Sequence, residues 1–142
     1  MISIVIPTYN NLDYLKLCLE SLKKNSSFNH EIIIHINDGS DGTLDFIKAN
    51  NYKHTSSDDN IGLCSSINKA AKLVSNQYIL YSHDDMYFCP DWDKVLLNEV
   101  NFLSHDNFYL SGTMIEPNSG HIVYDFGIDL DTFKEDELLS KY

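Results

Sequence analysis

Residues 31–42 read EIIIHINDGSDG, a run of β-branched residues that ends in a dense cluster of turn-forming residues. Unbroken β-branched runs are typical of strands that are buried on both faces, as in parallel sheets. The segment 2–10 has the same organisation, since ISIVI is followed by PTYN, and in the segment 78–85 the apolar YILY leads to SHDD. The sequence therefore predicts three buried strands that each end in polar residues, over Ile2–Ile6, Glu31–Ile36 and Tyr78–Ser82.

Predicted helices separate these strands. Leucines at positions 12, 15, 19 and 22 follow helical spacing, and further apolar patterns indicate helices over 43–49, from 63 to 74 and from 92 to 103. Ser40 or Asp41 is expected to cap the second helix, and Tyr52–Ser56 is expected to form a short additional strand. This order, βαβα(β)αβα, predicts an α/β fold with a layered, mostly parallel sheet and right-handed crossovers.

The last third of the chain has a different pattern. The segments Phe108–Ile115 and His121–Phe126 are strand-like and are separated by EPNSG at 116–120, which predicts a hairpin. After Gly127 the chain is acidic and amphipathic. Because no repeat, low-complexity tract or linker interrupts the 142 residues, the sequence predicts a single domain over residues 1–142.

Composition and charge argue against several classes of function. A net charge of −11 disfavours a nucleic-acid partner and an anionic membrane patch. Cys18, Cys64 and Cys89 form no C-x-x-C pair, which disfavours a structural zinc site or a disulfide framework. No apolar stretch approaches the roughly 20 residues of a membrane span. We therefore expect a cytoplasmic protein, which partners could hold at the cytoplasmic face of a membrane.

Two adjacent carboxylates, Asp84 and Asp85, follow the third predicted strand. Because they repel each other and lose hydration there, they need a cation, and a hard divalent metal that carries a phosphate would supply it. As an alternative, the pair would only begin a loop and cap the next helix. The loops after the other parallel strands would reach the same edge of the sheet.

Those other loops contain residue types that suit nucleotide recognition. Thr8 and Asn10 offer hydrogen bonds, and Tyr9 offers a face for a base. Asp38 would accept an N–H group of a base or a ribose hydroxyl, and Gly39 allows a close backbone approach. Residues 37–42 also have a purely structural interpretation as turn formers.

Four motifs in order resemble the family 2 glycosyltransferases of the GT-A fold: IVIPTYN at 4–10, NDGSDGT at 37–43, DNIG at 59–62 and YILYSHDD at 78–85. They cover about the first two thirds of the chain. The resemblance implies a Rossmann-like GT-A sheet and transfer of a sugar from a nucleotide-sugar, most often a UDP-sugar and most often with inversion. It also implies Mn or Mg on the diphosphate, and an unknown glycan, lipid or protein as acceptor.

The resemblance assigns roles to individual positions of this chain. Asp38 would contact the base, Asp85 would bind the metal directly, and Asp84 would touch the sugar or ribose. His83 stands where the first acid of the family's D-x-D element is common, and Ile67 stands where many members carry Arg before the polar Asn68. The implied nucleotide-binding set is Pro7, Thr8, Tyr9, Asn10, Asp38, Gly39, Asn60, Gly62 and Asp84.

The resemblance also implies that part of the catalytic machinery is missing. Residues 1–105 would form the nucleotide-sugar-binding part and 106–142 the start of the acceptor side, so we expect a GT-A domain truncated at its C-terminus. An inverting transferase needs an acidic base; we expect it to be absent, and Asp136 is the one candidate, in a charge run more typical of a solvated helix face. The alternatives are a non-catalytic nucleotide-sugar-binding fragment and a phospho-acceptor receiver domain, which would need a late-strand Lys.

Overall fold

The computed structural model describes residues 1–142, whose contacts divide the chain into two units. The first unit contains residues 1–22 and 28–87, and the second contains residues 23–27 and 88–142. The predicted boundary between residues 105 and 106 thus lies inside the second unit. None of the helices combines the length and the apolar character that crossing a bilayer requires.

A four-stranded parallel sheet forms the centre of the first unit, with the order β3-β2-β1-β4. The buried β-branched side chains of β1 and β2 fill its core. β1 pairs with β2 from Ser3–Glu31 to Tyr9–Asn37, so the two most apolar segments lie side by side. The predicted parallel strands are confirmed, with the bounds β1 Ile2–Tyr9, β2 Glu31–Asn37, β3 Lys53–Ser57 and β4 Tyr78–Tyr81.

The prediction that the first strand ends at Ile6 is wrong, because the strand continues through Pro7 to Tyr9. β4 pairs only with Ile2–Val5 of β1. From Pro7 onward β1 is therefore paired on one side only, as in an edge strand, where a missing N–H group is tolerated. The extra residues carry Thr8 and Tyr9 to the end of the sheet.

Three helices connect the parallel strands: α1 Leu12–Asn25, α2 Thr43–Ala49 and α3 Leu63–Ala71. The predicted bounds of α2 are confirmed, but its N-cap is Gly42 rather than Ser40 or Asp41. Asp41 instead accepts the N–H groups of Thr43 at 3.0 Å and Leu12 at 2.9 Å. One carboxylate next to the cap therefore satisfies donors at the starts of two helices.

The predicted apolar stripe of α3 is correct only in part. Ala70 is fully buried, and Ile67 packs on the cluster that includes Val5 and Ile33. Leu63, in contrast, is 47% exposed, and Ser66 takes a buried position that the pattern did not indicate. The hydroxyl of Ser66 makes this burial possible, because it donates to the carbonyl oxygen of Gly62 at 2.7 Å.

The second unit contains α4 Trp92–Phe102, α5 Glu135–Lys141 and two short strands, β5 Ile115–Glu116 and β6 Ile122–Val123. The predicted hairpin over 108–126 is wrong: each strand has two residues, and the two strands pair in parallel. Two isolated strands are only marginally stable, and within residues 108–126 only Phe126 is buried, while side chains such as Tyr109 are exposed.

Glu31 links the amino-terminal ends of the strands. Its carboxylate accepts Lys53 Nζ at 2.8 Å, Ser75 N at 2.9 Å and the Ser3 hydroxyl. These groups belong to β3, to the loop before β4 and to β1, while Glu31 itself begins β2. The hydrogen bonds from Lys53 and then Ser3 lower the pKa of Glu31 to about 2, because both favour its charged form.

We predict that Glu31→Gln destabilises the protein by about 1–3 kcal/mol at neutral pH. The pKa of Glu31 in the folded state, about 2, lies below its ordinary value of 4.5, so its contribution is present above pH 4.5 and is lost as pH falls toward 2. Urea unfolding of both forms at pH 7 and pH 3 should show the difference shrinking at pH 3. Glu99→Gln, at an exposed position, is the control; an equal loss at both pH values would contradict the prediction.

Candidate functional site

A cavity of about 330 Å³ lies at the carboxyl ends of the strands of the first unit. Four chain segments line it: the end of β1, the end of β2, the loop before α3 and the loop after β4. The strand-end loops therefore meet at one edge of the sheet, as the parallel order requires. The lining residues are Pro7, Thr8, Tyr9, Asn10, Asn11, Asn37, Asn60, Leu63, His83 and Asp84.

The cavity contains part of the predicted site and adds to it. Of the predicted nucleotide set, Asp38, Gly39 and Gly62 are not among the lining residues, and neither is the predicted metal ligand Asp85. The cavity is also lined by Asn11, Asn37 and Leu63, which were not predicted as site residues from the sequence. An apolar residue at the first position of a helix, next to DNIG, is the signal that would have pointed to Leu63. The roles of all these residues in binding stay predictions.

Asn37, at the end of β2, joins three of the lining segments. It is 4% exposed. Its Nδ2 donates to the carbonyl oxygen of Thr8 at 3.2 Å and to Ser66 Oγ at 3.0 Å, while its Oδ1 accepts the N–H of Ile61 at 3.0 Å. The loop before α3 is thus held to β1 through one buried carboxamide.

We predict that Asn37→Ala costs about 1–3 kcal/mol of unfolding free energy, because it leaves the N–H of Ile61 without its acceptor. Urea denaturation gives the loss, and hydrogen exchange at Ile61 should accelerate. Asn50→Ala is the control, since Asn50 is exposed and donates only within its own helix end. Unchanged exchange at Ile61 would argue against this function of Asn37.

Asn10 and Asp38 join the loop after β1 to the loop after β2. Asn10 Nδ2 donates to Asp38 Oδ2 at 2.8 Å and to Ser40 Oγ at 3.3 Å. The N–H of Gly39 donates back to Asn10 Oδ1 at 3.0 Å. Both Asn10 and Asp38 have left-handed backbones, with φ of 45° and 62°.

Asp84 is the half-buried member of the acid pair, and Asp85 is exposed. Burial raises the pKa of Asp84, and the negative charge of Asp85 adds to the rise, while Thr8 and Asn11 act in the opposite direction. The buried Thr8 hydroxyl nevertheless has no hydrogen-bond partner of normal geometry. Burial is therefore the dominant influence on the pKa of Asp84, and Asp85 places a second negative charge beside it.

Two neighbours of the acid pair complete this region. Cys18, on α1, has its pKa raised to about 12 by burial and by the charges of Asp84 and Asp85, so its thiol stays neutral and is no nucleophile. The Nε2 of His83 lies 2.8 Å from the hydroxyl of Tyr81, which fixes the imidazole at the cavity wall.

The donor atoms suit a divalent metal only in part. Nowhere in the chain do three acidic, histidine or cysteine side chains converge as a complete metal cage. Mg²⁺ and similar hard ions are, however, often held by one or two carboxylates, with phosphate oxygens and water completing the shell. Asp84 and Asp85 fit such a partial site.

No lysine or arginine lines the cavity. Ile67, where the resemblance leads one to expect Arg, packs on the apolar cluster of Val5, Ile33 and Ala70 and adds no charge. A diphosphate in this cavity would lie near the negative charge of Asp84, with no lysine or arginine in the lining to offset the repulsion. The cavity is thus suited to an anion that arrives with its own cation.

We predict that Asp84→Asn stabilises the protein at neutral pH by up to ~1 kcal/mol. Because the pKa of Asp84 is raised in the folded state, its ionised form destabilises the fold at neutral pH, and the gain should vanish as Asp84 becomes protonated at low pH. Thermal unfolding at pH 7 and pH 3 measures both effects, with the exposed Asp45→Asn as control. A loss of stability at pH 7 would show that the favourable effect of Thr8 and Asn11 on the charged form outweighs the effect of burial.

Comparison with known proteins adds sequence evidence. The family model described as glycosyl transferase family 2 matches residues 3–138. The chondroitin synthase of Pasteurella multocida is 34% identical over 104 residues, which are 70% of this chain and 11% of that protein. The chain spans between 11% and 40% of the length of the curated relatives it matches.

Solved structures share the fold. S. aureus TarS 1–349, in complex with UDP, superposes with a TM-score of 0.63 at 24% identity, covering 70% of this chain and 32% of that one. The mannosyltransferase PcManGT of Pyrobaculum calidifontis, in complex with GDP-Man and Mn²⁺, gives a TM-score of 0.62 at 16% identity, covering 73% of this chain and 32% of that one. At this identity the likeness concerns the fold alone.

Proposed function

The chain belongs to glycosyl transferase family 2, and we propose that it provides the donor site of an enzyme that transfers a sugar from a nucleotide-sugar to an acceptor. The observation that carries this proposal is the cavity at the carboxyl ends of the strands, which combines hydroxyl, amide, aromatic and imidazole groups with a carboxylate and has no lysine or arginine. Such a lining suits a sugar nucleotide whose diphosphate is neutralised by a bound cation.

The donor we propose is a UDP-sugar. Among the structural relatives, TarS is in complex with UDP and PcManGT is in complex with GDP-Man and Mn²⁺, which supports a nucleotide-sugar in general. In this chain Tyr9, 52% exposed at the cavity, would stack on the base. The Asp38 carboxylate would accept a ring N–H group, which uracil provides.

The reaction we propose proceeds with inversion and with Mn or Mg at the diphosphate. The metal, when bound, would offset the charge that the departing nucleoside diphosphate gains. Asp85 would hold it, and Asp84 would orient the ribose or the sugar. Because both acids lie within four residues of the end of β4, we expect little reorganisation on binding.

We predict that Asp85→Asn abolishes the manganese-dependent part of UDP binding, with at least a tenfold loss of affinity, since a metal ligand is removed while the shape of the side chain is kept. Titration calorimetry with UDP, with and without Mn²⁺, measures the loss. Asp131→Asn, at an exposed position in the second unit, should bind as the unchanged protein does. Equal affinity of Asp85→Asn and the unchanged protein would refute the assignment.

A second function, nucleotide-sugar binding without transfer, is favoured by one observation. Asp136, the candidate base, is exposed in the first turn of α5 and is not among the residues that line the cavity. Hydrolysis and transfer assays with UDP-, GDP- and dTDP-sugars separate the two functions. Metal-dependent binding without turnover would favour binding alone, and the absence of all nucleotide binding would refute both.

A further inference from the structure

Asn10 lines the cavity, but its side chain is already used within the protein. A carboxamide has two N–H donors and one acceptor oxygen. The Nδ2 group donates to Asp38 Oδ2 at 2.8 Å and to Ser40 Oγ at 3.3 Å, and Oδ1 accepts the N–H of Gly39 at 3.0 Å. Both donors are thus engaged, and little capacity is left for a nucleotide.

The carboxylate of Asp38 accepts three hydrogen bonds, one of them from Asn10. Its Oδ2 accepts Asn10 Nδ2 at 2.8 Å and Ser40 Oγ at 3.2 Å, and its Oδ1 accepts the N–H of Ser40 at 3.2 Å. A carboxylate has about four acceptor positions. These bonds leave about one position free, on Oδ1, and fix the plane in which it lies.

The backbone makes this arrangement dependent on Asn10. Left-handed φ angles at the non-glycine residues Asn10 and Asp38 are unfavourable and persist only where other contacts enforce them. Gly39 allows the loop to pack closely against β2, because a Cβ atom at this position would lie 2.8 Å from Ile36 Cγ2. The reciprocal bonds between the two loops are the contacts that enforce the conformation.

We infer that Asn10 is a positioning residue: it orients the free acceptor of Asp38, which follows the cavity-lining Asn37, toward the ring N–H of a bound nucleobase, and it does not itself bind the nucleotide. The inference rests on the proposed function. It changes the role of Asn10 from a nucleotide-binding residue, as predicted from the sequence, to a positioning residue. The class of ligand that would depend on this alignment is a nucleoside diphosphate whose base carries a ring N–H group, such as uracil.

A double-mutant cycle tests the inference. Asn10→Gly and Asp38→Gly remove each side chain while glycine accepts the left-handed backbone, so side-chain effects are separated from strain. The probes are UDP and inorganic pyrophosphate, each titrated calorimetrically with Mn²⁺. Asn51→Gly is the matched control, because Asn51 also has a positive φ, 56°, and lies outside the cavity.

The expected result for Asn10→Gly is a roughly tenfold weaker affinity for UDP and an unchanged affinity for pyrophosphate. In the Asp38→Gly background, Asn10→Gly should cause no further loss, because its partner is already gone. Asn51→Gly should match the unchanged protein. Hydrogen exchange at Gly39 should accelerate in Asn10→Gly, since that N–H loses its acceptor.

Additive losses in the double mutant would overturn the inference, because they would mean that Asn10 contacts the nucleotide directly. An equal loss for pyrophosphate would also overturn it, since the effect would then be a general one on the cavity. Unchanged exchange at Gly39 would do so independently of any ligand. If the unchanged protein bound none of UDP, GDP and dTDP, the proposed function would fail first, and this inference with it.

Discussion

The buried carboxamide of Asn37 is the interaction on which the geometry of the cavity depends. It sits at the last residue of β2 and reaches the backbone of Thr8, the N–H of Ile61 and the hydroxyl of Ser66. The parallel sheet only brings strand ends near one another, within a few ångströms. A single side chain with donors and an acceptor in one plane then converts that proximity into fixed distances.

The charged groups around the cavity also affect the stability of the chain. Its lining contains the carboxylate of Asp84, the imidazole of His83 and neutral polar groups, but no lysine or arginine. The chain tolerates the half-buried Asp84 beside Asp85 at some cost to its own stability, as the direction of the Asp84 pKa indicates. Sites that bind charged ligands often reduce stability in this way, because charged groups placed to suit the bound ligand are unfavourable when the ligand is absent.

The sequence predicted those parts of the fold that depend on local patterns. The β-branched runs gave β1 and β2, and the bounds of α2 were correct, since both depend on neighbouring residues. The continuation of β1 past Pro7 was not predictable, because it depends on where β4 stops. The same holds for the site. Thr8 and Asp84 were predicted from their positions at strand ends, whereas the linking function of Asn37 depends on partners that are far away in sequence. The hairpin failed because the pattern suggested strands that have no sheet to join.

Glu31 holds the strands together at the end of the sheet opposite to the cavity. Apart from Asn37, the residues that secure the fold are therefore largely distinct from those that line the cavity. Substitutions at exposed cavity positions such as Tyr9 or Leu63 would leave the anchoring network intact. This separation makes the chain a tolerant scaffold for evolution: the ligand preference of the cavity is able to diverge by loop changes, while the stability margin that absorbs them is maintained at the far end.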